Sequence, residues 1–121
     1  MFKIIEDLEV TEELQKDFLN LNISLHFLKD RKERFIKYLN EMESFKLVEG
    51  FAKVVDRGHK NGLEIHAVTD DGFIWIWNKS KHSLITVICP RVGQLKRLNS
   101  NVPTWLIEKT TANREKLKNF I

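Results

Sequence analysis

Cysteine is almost missing from this chain. A lone Cys89 excludes an internal disulfide and any cysteine-cluster metal site, and a thiol-reducing cytoplasmic setting is the expectation. Two prolines and five glycines leave no room for a flexible or proline-rich linker. No apolar run approaches the ~20 residues that a membrane-spanning helix needs. Met1-Phe2-Lys3-Ile4-Ile5-Glu6-Asp7 turns acidic where a signal peptide would turn apolar, so no membrane partner is expected. What remains is 121 residues, 42% hydrophobic and 31% charged, enough to bury a core as one domain spanning 1–121. That balance also excludes a disordered tail.

The second scarcity is acidic charge in one region. No Asp or Glu occurs between Asp71 and Glu108, whereas Lys79, Lys81, Arg91, Lys96 and Arg97 do, together with His82. Residues 1–50 hold 8 basic and 11 acidic side chains, and residues 51–121 hold 12 and 6. A concentrated positive field favours a polyanion, because each neutralised phosphate releases condensed counterions. A solvated surface that balances the acidic half is the plainer explanation of the same charges.

Residues 1–23 read as an acidic arm and a short helix, the arm being either extended or a short strand. Thr11 is the candidate N-cap, with Glu12 and Glu13 at the positive helix end. A long helix is predicted over 24–43, from the spacing of Leu25, Leu28, Phe35, Leu39 and Met42, widened by Phe27, Ile36 and Tyr38. From Phe51 the period changes to two. Strands are predicted at 51–59, 63–68, 73–78 and 83–89, within an antiparallel sheet at 51–89. Pro103 opens a closing helix over 103–120 that buries Trp105, Leu106, Leu117 and Phe120. The expected fold class is α+β: N-terminal helices packed on a four-stranded antiparallel meander, with a C-terminal helix.

Asn61-Gly62 and Asp71-Gly72 are two-residue hairpin signals. Taken so, they place Arg57 opposite His66, His66 opposite Trp77 and Val68 opposite Trp75. The next connection sets Trp77 opposite Leu84 and Trp75 opposite Thr86. Side chains alternate across a strand, so one face would be apolar: Ala52, Val54, Ile65, Ala67, Ile74, Ile76, Ile85, Val87 and Cys89. The other would gather Lys53, Arg57, His59, Glu64, His66, Trp75, Trp77 and Thr86 on the open side.

Cleaving RNA without a metal requires a base for the 2′-proton, an acid for the leaving oxygen and a cation for the phosphate charge. Glu64, His66 and Arg91 are candidate catalytic residues, with Thr86 beside them. Trp75 and Trp77 would stack bases; Arg57, His59, Lys96 and Arg97 would contact the backbone, arginine being able to grip two oxygens. No metal-ligand cluster or cofactor motif is visible. Each residue also has an ordinary structural explanation: cross-strand pairing for Arg57, Glu64, His66 and Lys79, and a second core layer for the tryptophans.

His26, Arg31 and Arg34 on a helix, Asp56-Arg57-Gly58-His59, Asn61 to His66, and Leu84 to Arg91 with Gln94 and Arg97 together give a pattern. Over residues 24–97 it resembles the barnase/colicin/RelE-like ribonuclease toxin superfamily, in small phage and mobile-element members. The resemblance implies one or two helices before a four-stranded antiparallel sheet. It also implies metal-independent RNA hydrolysis on the sheet face, within a toxin–antitoxin or phage-defence system. Glu64, His66, Thr86 and Arg91 are the positions that match best, and an antitoxin protein is the implied partner. The alternative is a non-catalytic phage or mobile-element protein that binds and inhibits a host protein or nucleoprotein complex. A homodimer formed through the open face is a third possibility.

Overall fold

The computed structural model describes residues 1–118. Strand β1 (Lys3–Leu8) is followed by helices α1 (Glu12–Leu19) and α2 (Leu25–Asn40). Strands β2 (Ala52–Asp56), β3 (Glu64–Val68), β4 (Ile74–Asn78) and β5 (Leu84–Ile88) come next, then helices α3 (Val92–Leu98) and α4 (Thr104–Leu117). The fold is α+β, and the five strands lie antiparallel in chain order. The arm is thus a fifth strand, paired with β2. Phe120 lies outside the described residues.

Local chemistry sets the helix starts. The Thr11 side chain accepts the Leu14 N–H at 3.1 Å, and the Ser24 hydroxyl accepts the Phe27 N–H at 3.0 Å, each satisfying an otherwise orphaned helix donor. The buried side of α2 is aromatic: Phe27, Phe35 and Tyr38 are covered, whereas Leu25 is 85% exposed and Ile36 is exposed as well. The rest of the expected stripe packs as well, with Met42 buried and Leu28 and Leu39 against the same core, and the rings meet the indoles beneath them. Phe35 meets Trp75 edge-on at 5.9 Å, and Phe18 of α1 meets it at 4.9 Å.

The sheet register departs from expectation at one turn, with large consequences. Val68 pairs with Ile74, Ala67 with Trp75, His66 with Ile76 and Ile65 with Trp77. Asp70, Asp71 and Gly72 therefore make a three-residue connection in place of two. The Gly72 N–H donates to the Thr69 carbonyl at 2.9 Å, and the Thr69 N–H to the Phe73 carbonyl at 3.0 Å. Gly72 takes the left-handed conformation (φ +89°) that closes a three-residue loop with a bulge. One extra residue flips every following side chain to the other face. Trp75 and Trp77 consequently join Ile65 and Ala67, while Ile74 and Ile76 join Glu64 and His66.

The β2–β3 connection differs as well. Lys53, not Arg57, stands opposite His66. Asn61 has no positive φ, and the turn runs from the His59 carbonyl to the Gly62 N–H. The slip here is an even number of residues, so the parity of Lys53, Arg57, Glu64 and His66 survives. Trp77 does lie opposite Leu84, as expected, but a bulge then sets Val87, not Thr86, opposite Trp75.

Both faces of the sheet are covered. One core joins Phe18, Phe27, Phe35, Tyr38, Trp75, Trp77 and Val87 beneath α1 and α2. A second joins Val68, Ile74, Ile76, Leu95, Leu98 and Leu106 beneath α3 and the start of α4. Helix α4 bridges the two, with Leu106 in one and Leu117 in the other. Trp105, expected in the core, is 47% exposed. Helix α3 has no counterpart among the elements expected from the sequence. Its Leu95 and Leu98 are the contacts that make it a packed helix.

Candidate functional site: a buried Glu–His–Arg cluster in a basic cleft

Helix α3 covers only part of the second face. Beyond its reach, strand β3 carries Glu64 and His66 two residues apart, and therefore on one side. The Glu64 carboxylate is held in a fork by Arg57: Nε to Oε1 at 2.6 Å and Nη2 to Oε2 at 2.9 Å. His66 Nε2 lies 2.9 Å from the same Oε1. Glu64 is 3% and His66 4% exposed. Arg57 rises from the strand end and keeps about a third of its side chain in water.

The electrostatics follow from these contacts. Burial pushes the Glu64 carboxyl upward, but the Arg57 and His66 hydrogen bonds and the Arg57 charge outweigh it, and its pKa falls below the ordinary value. Burial lowers the His66 pKa, and Glu64 only partly opposes that. The favoured state at neutral pH is an ionised glutamate beside a neutral imidazole. In that state His66 donates its Nε2 proton to Glu64, which leaves Nδ1 as the ring's basic atom.

Two openings meet at this cluster. One is a cleft of about 570 Å³ lined by Arg57, His59, Lys60, Glu64, Lys81 and Ile85, among others. The other is a cavity of about 140 Å³ bounded by Phe2, Arg57, His66, Gln94 and Arg97 with aliphatic side chains of the second core. The Phe2 ring stands edge-on to His66 at 5.6 Å, and the Arg97 guanidinium lies over Phe2 at 5.5 Å. Basic side chains therefore frame an anionic centre and a neutral base. Among the described residues, no three His, Cys, Asp or Glu side chains gather as a metal would require.

The structure brings Glu64, His66, Arg57, His59 and Arg97 together, and it separates the rest. Arg91 caps the start of α3, where its N–H donates to Gln94 Oε1 at 2.9 Å. It lines an adjoining hollow with Gln94 and Arg97, without touching Glu64 or His66. Lys96 is exposed and lines neither opening. Thr86 stands opposite Ile76 on the outer strand β5, but its hydroxyl accepts from Arg31 and Arg34 of α2, so it lies outside the cluster. Trp75 (5% exposed) and Trp77 (0%) are sealed under α1 and α2 and offer no ring face to a base. Their indole N–H groups have no hydrogen-bond partner among the described residues. Sequence reasoning missed Phe2, Lys60 and Lys81 as cleft residues. A basic loop composition hints at the lysines, but nothing local points to Phe2, which arrives only because β1 joins the sheet.

Cys89 is buried, and its thiol is pushed up to about 11 by that burial, which leaves it an inert core residue. Among the described residues, no helix is long and apolar enough to cross a membrane. No protein-family model matches the chain, and neither does any curated protein or solved structure.

Proposed function

We propose that the protein acts on RNA as a small, metal-independent endoribonuclease of the toxin type, with the Glu64–His66 pair as its reactive centre. The observation that carries this reading is the 2.9 Å contact between His66 Nε2 and Glu64 Oε1 where two openings framed by basic residues meet. Neutral His66 accepts the 2′-hydroxyl proton at Nδ1, the 2′-oxygen bonds to phosphorus, and the bond from phosphorus to the 5′-oxygen breaks. The proton then passes to the departing 5′-oxygen, leaving a 2′,3′-cyclic phosphate and a 5′-hydroxyl. Glu64 holds the ring's tautomer and stabilises the imidazolium as it forms. Arg57 and Arg97 offset the charge that builds on the phosphate.

The test is incubation of purified protein with single-stranded RNA in the presence of a chelator. Cleavage to cyclic phosphate ends is expected, and His66→Ala should slow it by about 10²–10⁴-fold. Expressed alone, the wild type should be toxic and His66→Ala harmless. Wild-type protein that neither cuts nor binds RNA overturns the reading.

One observation favours a second reading, a non-catalytic inhibitor of a host protein or nucleoprotein complex. Strand β1 is an outer strand with exposed Glu6 and Asp7, a surface suited to a basic partner. The tryptophans lend that reading nothing, being buried. Under it, Glu6→Lys abolishes partner capture and His66→Ala leaves capture intact.

A further inference from the structure

Two guanidinium groups converge on one neutral atom at the edge of the sheet. Arg31 Nη1 and Arg34 Nη2, from successive turns of α2, each lie 3.2 Å from Thr86 Oγ1. Among the described residues, neither arginine has a carboxylate at ion-pair distance: Asp30, beside Arg31, pairs with His26, and the exposed Glu33, beside Arg34, makes no ion pair with either. Arg34 is further steadied over the Tyr38 ring at 5.9 Å. The Thr86 hydroxyl accepts from both cations, and its own proton has no acceptor among the described residues. Two like charges brought together around a hydroxyl donor, with no carboxylate paired to either, are complementary to an oxyanion that can take a bond from all three groups.

The geometry points to a phosphate-binding site formed by Arg31, Arg34 and Thr86. Its place in the fold says which phosphate. Ile85 lines the cleft that contains Glu64, and Thr86, the next residue, faces α2 across the β5 edge. A single strand leaving the cleft over that edge delivers a neighbouring backbone phosphate to the two arginines. The site thus extends the grip on the substrate beyond the bond that is cut; the identity of the ligand as RNA rests on the function proposed above, whereas the anion site does not. Lys29 and Lys32, exposed on the same helix, add positive charge that the exposed Asp30 and Glu33 partly offset.

The test reads the Nε–H resonances of Arg31 and Arg34 in ¹⁵N-labelled full-length protein against two probes. The first is inorganic phosphate. The second is a 2′-O-methylated RNA of about eight nucleotides, long enough to cross the edge and unable to be cleaved. Phosphate should shift both resonances, and the double variant Arg31→Gln/Arg34→Gln should lose phosphate binding at this site. For the RNA, the plot of log affinity against log salt should become shallower by about 1.4 in the double variant, the effect of two lost phosphate contacts on a single strand. Should the double variant not fold, Thr86→Val keeps both cations and removes the hydroxyl, with about tenfold weaker phosphate binding expected. Phosphate that moves neither resonance, or an unchanged salt slope in a variant that binds RNA, overturns the site. Shifts with phosphate but none with RNA uphold the anion site and reject the RNA reading.

Discussion

Arg57 holds Glu64 in place, and its removal tests what the cluster contributes to the fold. Arg57→Gln leaves a carboxylate that is 3% exposed with the neutral His66 ring as its remaining hydrogen-bond partner. Because Arg57 keeps a third of its side chain in water, screening lowers the cost below that of a fully buried pair, to about 2 kcal/mol. The pH dependence has a definite sign. The Glu64 pKa is lower in the fold than the ordinary 4.5, so the unfolded chain takes up the proton first. The stabilisation is complete above 4.5 and disappears as pH falls through the folded value. Denaturant melts of wild type and Arg57→Gln should therefore differ at neutral pH and converge in acid. His66, also lowered from its ordinary 6.5, acts in the same direction, so wild-type stability should begin to decline as pH drops below that value. The two groups share a side because they stand two residues apart in a strand, which is readable from sequence. The Arg57 fork was not readable, because it depends on where a seven-residue connection lets the chain bend.

At the scale of elements, the Asp70-Asp71-Gly72 connection is decisive. Asp-Gly is the strongest short signal for a two-residue turn, yet the loop takes three. Asp71 is the reason the longer form is favoured. Its carboxylate accepts the N–H groups of Glu43, Ser44 and Phe45, and its carbonyl accepts the Asn113 amide at 2.7 Å. These partners lie 26 to 42 residues away, beyond any local pattern. Gly72→Ala should destabilise the protein by about 2 kcal/mol. An alanine at φ +89° is strained, and its Cβ would sit 3.0 Å from Asn113 Nδ2. Equilibrium unfolding of this variant measures it, and a change near zero would show that the turn tolerates an L side chain.

The whole molecule is a sheet between two cores, and α4 ties them together. Leu95→Ala, in the second core, should cost about 3 kcal/mol because it opens a cavity at a fully buried position. Coupling through the sheet predicts more than the loss itself. The tryptophan emission that reports on Trp75 and Trp77 in the first core should move to the same lower denaturant midpoint as the far-ultraviolet circular dichroism. Separate midpoints would mean that the two layers unfold independently.

Hydrophobic period and capping residues determined most of the elements: the Thr11 and Ser24 helix starts, four of the five strands, the α+β class and the shared side of Glu64 and His66. These depend on neighbours within one or two turns, whose sterics and hydrogen bonds the chain carries locally. Tertiary structure alone decided the parity of β4, the burial of both indoles, the joining of β1 to the sheet, and the arrival of Phe2 and Arg97 around His66. Each of those depends on partners dozens of residues away, and a single extra residue in one turn reverses the side on which a strand's side chains fall.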